Sequence, residues 1–259
     1  MNKREYNILV TNDDGIDAPG LLALTQAMER IGKVHIVAPD RQQSAVGHAL
    51  SISNPLRVMP FWKNGKKFGL SVNGTPSDCV KLAVSALLES KPDLIVSGIN
   101  HGQNTSVNVI YSGTVSAATE GMLLGIPSIA FSLANFSYKA DFSSAEEYAY
   151  LIAKNVLRTK IPSDTLINVN IPDLPLEQIK GIKITRQSNS IWEDYYEKRE
   201  DPFGREYYWF SGNYKIIDND IEADDVALSN GFVSITPLRL NMTNDKFIKK
   251  LKNFEKLRL

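Results

Sequence analysis

The sequence predicts an α/β fold: a mostly parallel sheet with helices on both faces, followed by a C-terminal hairpin-and-helix region of different texture. Three observations carry that expectation. Short apolar runs alternate with helix-periodic stretches up to about residue 172, which implies crossover connections and parallel strands. One run, PDLIVSGIN, is apolar throughout its strand portion, as a strand covered on both faces must be. From about residue 175 the alternation stops, and aromatic and charged residues intermingle.

The elements follow in order. NILVTN is a short strand that ends in Asp-Asp-Gly. GLLALTQAMERIG carries Leu21, Leu24, Ala27, Met28 and Ile31 at helical spacing, with Pro19 in the first turn and Gly32 as the stop. KVHIVAPD is the next strand, so residues 7 to 40 read as one β-α-β unit. SDCVKLAVSALLES is a helix with Ser77 or Asp78 near its cap. PDLIVSGIN (strand), TVSAATEGMLLG (helix), PSIAFS (strand), SAEEYAYLIAKNVLRT (helix) and TLINVNIP (strand) complete a core over residues 1–175.

Residues 176–259 form the extension. SIWEDYYEKREDPFGREYYWF fits an extended hairpin turning at DPFG, and GFVSITPL is a further strand. The end, NDKFIKKLKNFEKLRL, sets Phe247, Ile248, Leu251, Phe254 and Leu257 on one side of a helix and lysines on the other. That pattern is expected as a packed stripe under a solvated face, not as a membrane-surface helix. Aromatics on an exposed arm need a partner surface; an oligomer contact and simple packing onto the core are both open readings of it.

Composition narrows the function classes. Twenty-nine basic residues balance 29 acidic ones in 259, so overall charge favours neither a nucleic-acid polymer nor a membrane as partner. The single cysteine, Cys79, allows no internal disulfide and sits in no Cys/His cluster of zinc-site type; it is expected as a small buried residue. No apolar stretch reaches the roughly 20 residues of a membrane helix, and the first ten residues lack a leader's apolar core. The expected location is the cytoplasm.

Chemistry is expected where parallel strands end. After the first strand come Asn12, Asp13, Asp14 and Gly15; after the second, Asp40, Arg41 and then Ser44; after DLIVSGIN, Asn100, Gly102 and Asn104. Adjacent carboxylates repel, and a divalent cation would offset that repulsion. Ser44 and Asn100 could add a hydroxyl and an amide oxygen. An all-oxygen site suits Mg2+, Mn2+ or Ca2+ better than zinc. The competing reading of Asp-Asp-Gly is a helix cap. YSGTVSAATEG places Ser112, Gly113 and Thr114 at a helix start, where free N–H groups can cradle a phosphate or where Ser and Thr merely cap. VNGTPSDCV has the same double reading. Together these segments point to phosphate-ester chemistry.

In chain order, TNDDGIDAPG, VAPDRQQSAVG, NGTPSDCV, VSGINHGQN and VIYSGTVSAATEG resemble the survival protein SurE family of 5'-nucleotidases. The similarity is dense to about residue 132 and weaker beyond. It implies a Rossmann-like core and a divalent-metal-dependent phosphatase acting on nucleoside monophosphates, with broad phosphate-ester tolerance and some polyphosphatase activity. It also implies one Mg2+ or Mn2+ per subunit, with Ca2+ as a non-native occupant, on Asp13, Asp14, Ser44 and Asn100. A domain-exchanged homodimer built with C-terminal arms, sometimes two dimers joined as a homotetramer, is implied too. Asn104, Ser112, Gly113 and Thr114 are the expected phosphate contacts, and Asp13 and Asp14 the expected catalytic pair. His48 and His101 lie near the site without a required role, although His101 could protonate a leaving group; His35 is expected to be structural.

Two other classes compete. A haloacid-dehalogenase-type phosphatase needs Asp-x-Asp, but the nucleophile position here is Asn12, and an amide cannot form an aspartyl phosphate. Water is therefore the expected nucleophile. A non-catalytic nucleotide-binding module fits the sheet, yet neither Gly-x-Gly-x-x-Gly after the first strand nor a Walker loop is present.

Overall fold

The computed structural model describes residues 5–257. The strands are β1 Tyr6–Thr11, β2 Gly32–Pro39, β3 Val58–Lys63, β4 Lys66–Val72, β5 Leu94–His101 and β6 Ser128–Leu133. They continue with β7 Leu166–Ile171, β8 Ile182–Ile184, β9 Ile191–Glu200, β10 Glu206–Lys215 and β11 Val233–Leu238. Nine of them form one sheet in the order β3-β4-β2-β1-β5-β6-β7-β11-β8. The central run β4-β2-β1-β5-β6-β7 is parallel throughout. The flanking strands β3 and β11 pair antiparallel to β4 and β7.

Helices cover both faces. α1 (Pro19–Glu29) and α5 (Ser143–Val156) lie on one side; α2 (Pro76–Leu82) and α4 (Gly113–Leu123) lie on the other. The alternation of side chains along β1 shows why both are needed. Ile8 and Val10 pack with Leu21, Leu24 and Met28 of α1, while Leu9 packs with Cys79 and Val80 of α2. Each such fully buried aliphatic contributes about 1.5–3 kcal/mol. Cys79 is buried, and burial pushes its thiol well above the usual range.

Four differences from the sequence expectations have physical causes. α2 starts one residue early, because Thr75 is its cap: the Asp78 amide donates to Thr75 Oγ1, and the Thr75 amide donates to Asp78 Oδ2. The helix then widens into a π-helical turn over Ala83–Leu87. The β3–β4 hairpin lies outside the sequence expectations, although Asn64-Gly65, with φ of 51° and 75°, is the two-residue turn that such hairpins favour. The sheet also does not stop at residue 175, since β8 and β11 complete one edge.

The hairpin β9–β10 stands apart as a two-stranded ribbon, paired from Ile191↔Lys215 to Glu200↔Glu206. Ten residues of strand reach about 34 Å. Asp201 closes the DPFG turn by accepting the Phe203 and Arg205 amides at Oδ1. At the C-terminus, α7 (Asp245–Leu251) is shorter than expected and passes into a 3-10 turn over Lys252–Lys256. Its stripe of Phe247, Ile248, Leu251, Phe254 and Leu257 is exposed, not packed on the core as expected. The last two residues of the predicted helix lie outside the described residues.

Candidate active site

The acid turn is built by the ends of β1 and β2. Gly15 has φ +100°, a conformation that glycine adopts freely. Asn12 Nδ2 donates to the Gly15 carbonyl at 2.9 Å, and the Ile16 amide donates to the Pro39 carbonyl at 2.8 Å. Asn12 therefore braces the turn. The Asp13 carbonyl accepts the Gln43 amide at 2.7 Å, which ties the loop after β2 to the acids.

Asp13 is only 5 % exposed. Burial, and then the neighbouring Asp14 charge, push its carboxyl up from 3.8 to about 6, against the hydroxyl and amide of Thr114. Thr114 Oγ1 donates to Asp13 Oδ1 at 2.5 Å. Gly113 makes this approach feasible, since a Cβ there would lie 2.7 Å from Asp13 Cβ. Asp14 is also raised by burial; the His101 amide, donating to its Oδ2 at 3.3 Å, works in the other direction.

A cavity of about 390 Å³ opens above this pair and is lined by Asp13, Asp14, Ser44, Asn100, Asn104 and Ser112 among others. The register of β5 against β6 shifts between Ser97 and Asn100, which re-aims the strand end. Asn100 Nδ2 donates to the carbonyls of His101 and Gly102, at 3.1 and 2.8 Å. Its amide nitrogen is thus committed, and its oxygen is the atom left as a ligand donor. Ser44 Oγ accepts from Gln42 Nε2 at 2.8 Å, and Gln42 Oε1 accepts from Tyr138 at 3.2 Å.

The four expected phosphate contacts divide. Asn104 and Ser112 line the cavity, whereas Gly113 and Thr114 lie against Asp13. The Ser112 hydroxyl accepts the Val115 amide at 3.1 Å and so caps α4. Asn104 is held from every side: its amide donates to Asn170 Oδ1, its Nδ2 to Ser132 Oγ, and its carbonyl accepts from Asn168 and Asn170.

His101 lines the cavity, packed edge-on to Phe142 at 5.0 Å, and burial lowers its pKa. That disfavours the protonated form a general acid would need. His48 instead meets Glu120, and His35 lies 3.4 Å from Asn7 Oδ1 within the sheet.

The sequence reading missed the aromatic rim. Phe136 and Tyr138 are 71 % and 73 % exposed at the cavity mouth. Trp192, at the root of β9, also lines the cavity and donates to Asn108 Oδ1 at 2.6 Å. It also missed Asn168 and Asn170 on β7, although two amides in an otherwise apolar strand are a signal that a loop must be held there.

The chemistry of this donor set fits one hard divalent cation: two carboxylates, a hydroxyl and an amide oxygen, with no imidazole or thiolate required.

Comparison with known proteins identifies the family. The chain is 48 % identical over 256 residues to the 5'-nucleotidase SurE of Christiangramia forsetii, covering 98 % of each chain. It is 46 % identical over 238 residues to the 5'-nucleotidase SurE of Chlorobium chlorochromatii, covering 92 % of this chain and 87 % of that one. The crystal structure of the SurE protein from Aquifex aeolicus superposes with a TM-score of 0.84 at 43 % identity, covering 96 % of this chain and all of that one. A family model for survival protein SurE matches residues 8–194, a span that holds every residue of the cavity: the chain belongs to the survival protein SurE family.

Proposed function

We propose that this chain is a divalent-metal-dependent 5'-nucleotidase that hydrolyses nucleoside 5'-monophosphates to nucleoside and phosphate. Broad phosphomonoesterase and some polyphosphatase activity belong to the same reading. The observation that carries it is the buried Asp13–Asp14 pair sharing one cavity with Ser44 and Asn100. The names of the relatives support the substrate class.

Asp13, Asp14, Ser44 and Asn100 would hold one Mg2+ or Mn2+. When bound, such an ion offsets phosphoryl charge and acidifies water. The chain's own groups do the rest. At the start of α4 it is Ser112 that lines the cavity on the phosphoryl side, because the Thr114 and Val115 amides are already held by Asp13 and by Ser112 Oγ, and Asn104 orients the ester from a braced loop. The acid pair accepts a proton of the attacking water, and that proton then passes to the leaving 5'-oxygen. Asn12 is committed to the Gly15 carbonyl, which supports water rather than an aspartyl nucleophile. The flat, exposed rings of Phe136, Tyr138 and Trp192 suit a nucleobase at the mouth.

The exposed aromatics of β9–β10 support assembly into a homodimer or homotetramer. Among the described residues no helix is long and apolar enough to cross a membrane, and a cytoplasmic location is part of the proposal.

The test is phosphate release from a panel of nucleoside monophosphates. Exhaustive EDTA treatment should abolish it, and Mn2+ or Mg2+ should restore it. Full activity after chelation would overturn the metal reading, and nucleotide binding without phosphate release would favour a non-catalytic module.

A further inference from the structure

Glu120 is a buried carboxylate that the proposed chemistry leaves unused. It lies on α4, beyond the Ser112–Thr114 segment, and is 2 % exposed. A charge this deep is tolerated only when paired. Each oxygen has its own partner: Lys81 Nζ stands 2.6 Å from Oε1, and His48 Nε2 stands 2.9 Å from Oε2.

The two partners belong to different kinds of structure. Lys81 is on α2, which shares a core with α4. His48 is in the irregular segment 40–57, which also carries Ser44. Between Ser44 and His48, Ala45 and Gly47 have φ of 56° and 58°. That conformation is unfavourable for alanine and must be imposed by contacts outside the turn. Three contacts impose it. The Gln43 amide donates to the Asp13 carbonyl at 2.7 Å, the Gly47 amide donates to the Tyr111 carbonyl at 3.1 Å, and His48 binds Glu120. Of these three, only the last joins two side chains, while Gln42 bonds Ser44 Oγ and Tyr138 on the other side of the turn. Further along, Thr75 Oγ1 donates to the Ala49 carbonyl and Asp78 accepts the Ser51 amide.

We infer that Glu120 is a positioning residue: through His48 it fixes the turn that holds the Ser44 hydroxyl at the acid pair. Helix α4 then acts on the site twice, at its start through Asp13 and near its end through the Ser44 turn. The inference rests on the reading of Ser44 as a cation ligand.

Amide hydrogen exchange and Mn2+ calorimetry on the full chain test it. His48→Ala should speed exchange at the Gly47 amide about 10-fold and weaken Mn2+ binding about 10-fold. His48→Gln, whose amide nitrogen can stand where Nε2 stands, should recover most of both. Adding Glu120→Gln to His48→Ala should cost no further Mn2+ affinity, because the two act as a unit. Lys81→Met should lower the melting temperature yet leave Mn2+ affinity and Gly47 exchange unchanged. Unchanged Gly47 exchange in His48→Ala overturns the inference. So does faster exchange with unaltered Mn2+ affinity, or Lys81→Met weakening Mn2+ as much as His48→Ala does. A parent chain that takes up no Mn2+ sinks the cation reading instead, while the exchange data still decide whether Glu120 holds the turn.

Discussion

The mouth of the sheet and the β9–β10 hairpin break the same rule in opposite directions. At the mouth, polar groups are buried: Asn12, Asp13, Asn104 and Thr114 lie at or near zero exposure. On the hairpin, apolar groups are bare: Tyr196, Phe203, Trp209 and Phe210 stand in solvent. Within the mouth, contacts from other segments hold the odd residues, such as Thr114 on Asp13 and Asn170 on the Asn104 loop. On the hairpin, the ring contacts stay within the ribbon, as with Tyr196 and Phe210 at 5.5 Å. The difference separates two needs. Buried polarity that is braced from inside suits a small ligand, whereas exposed apolarity without such bracing suits a second surface.

Predictions from this contrast run from large to small. Asp14→Asn should lower kcat/KM about 100- to 1000-fold, the scale of removing a main electrostatic group; steady-state kinetics at saturating Mn2+ would show it, and wild-type turnover would end the claim. The raised Asp13 carboxyl makes a linked prediction for metal-free protein. Folded Asp13 keeps its proton to about 6 and unfolded Asp13 only to 3.8, so its contribution is full below 3.8 and is lost as pH rises through 6. The loss is about 3 kcal/mol. It should appear as a difference in urea midpoints between parent and Asp13→Asn across that window, and Mn2+ should diminish it.

Gly113→Ala should destabilise the chain by about 1–3 kcal/mol, because the new methyl meets Asp13 and α4 must shift. Denaturant midpoints check this, and a neutral result would mean that the start of α4 yields without cost. On the hairpin, Trp209→Ser with Phe210→Ser should leave core stability within about 0.5 kcal/mol while lowering the sedimentation coefficient. Unaltered assembly would show that the bare rings serve something other than a second copy.

The sequence exposes the mouth better than the rim. Asp13, Asp14, Ser44 and Asn100 stand at strand ends, where topology brings separate segments together, so their meeting in one cavity follows from the alternation of strands and helices. Trp192 lies far along the chain in a stretch that reads as arm, and nothing in its neighbourhood says that it folds back on Asn108. The packed-stripe expectation for α7 failed because helical periodicity reports a two-sided surface without saying what covers the apolar side.

Trp192 has one further consequence. It is the second residue of β9, opposite Tyr214 in the ladder, and also part of the cavity wall. A slip of β9 by one position would turn its indole to the other face of the ribbon and strip Asn108 of its donor. The ribbon is therefore anchored like a tuning fork at its stem: its tip is free to vary in length and chemistry, while the alignment of its first rungs is answerable to the mouth of the sheet.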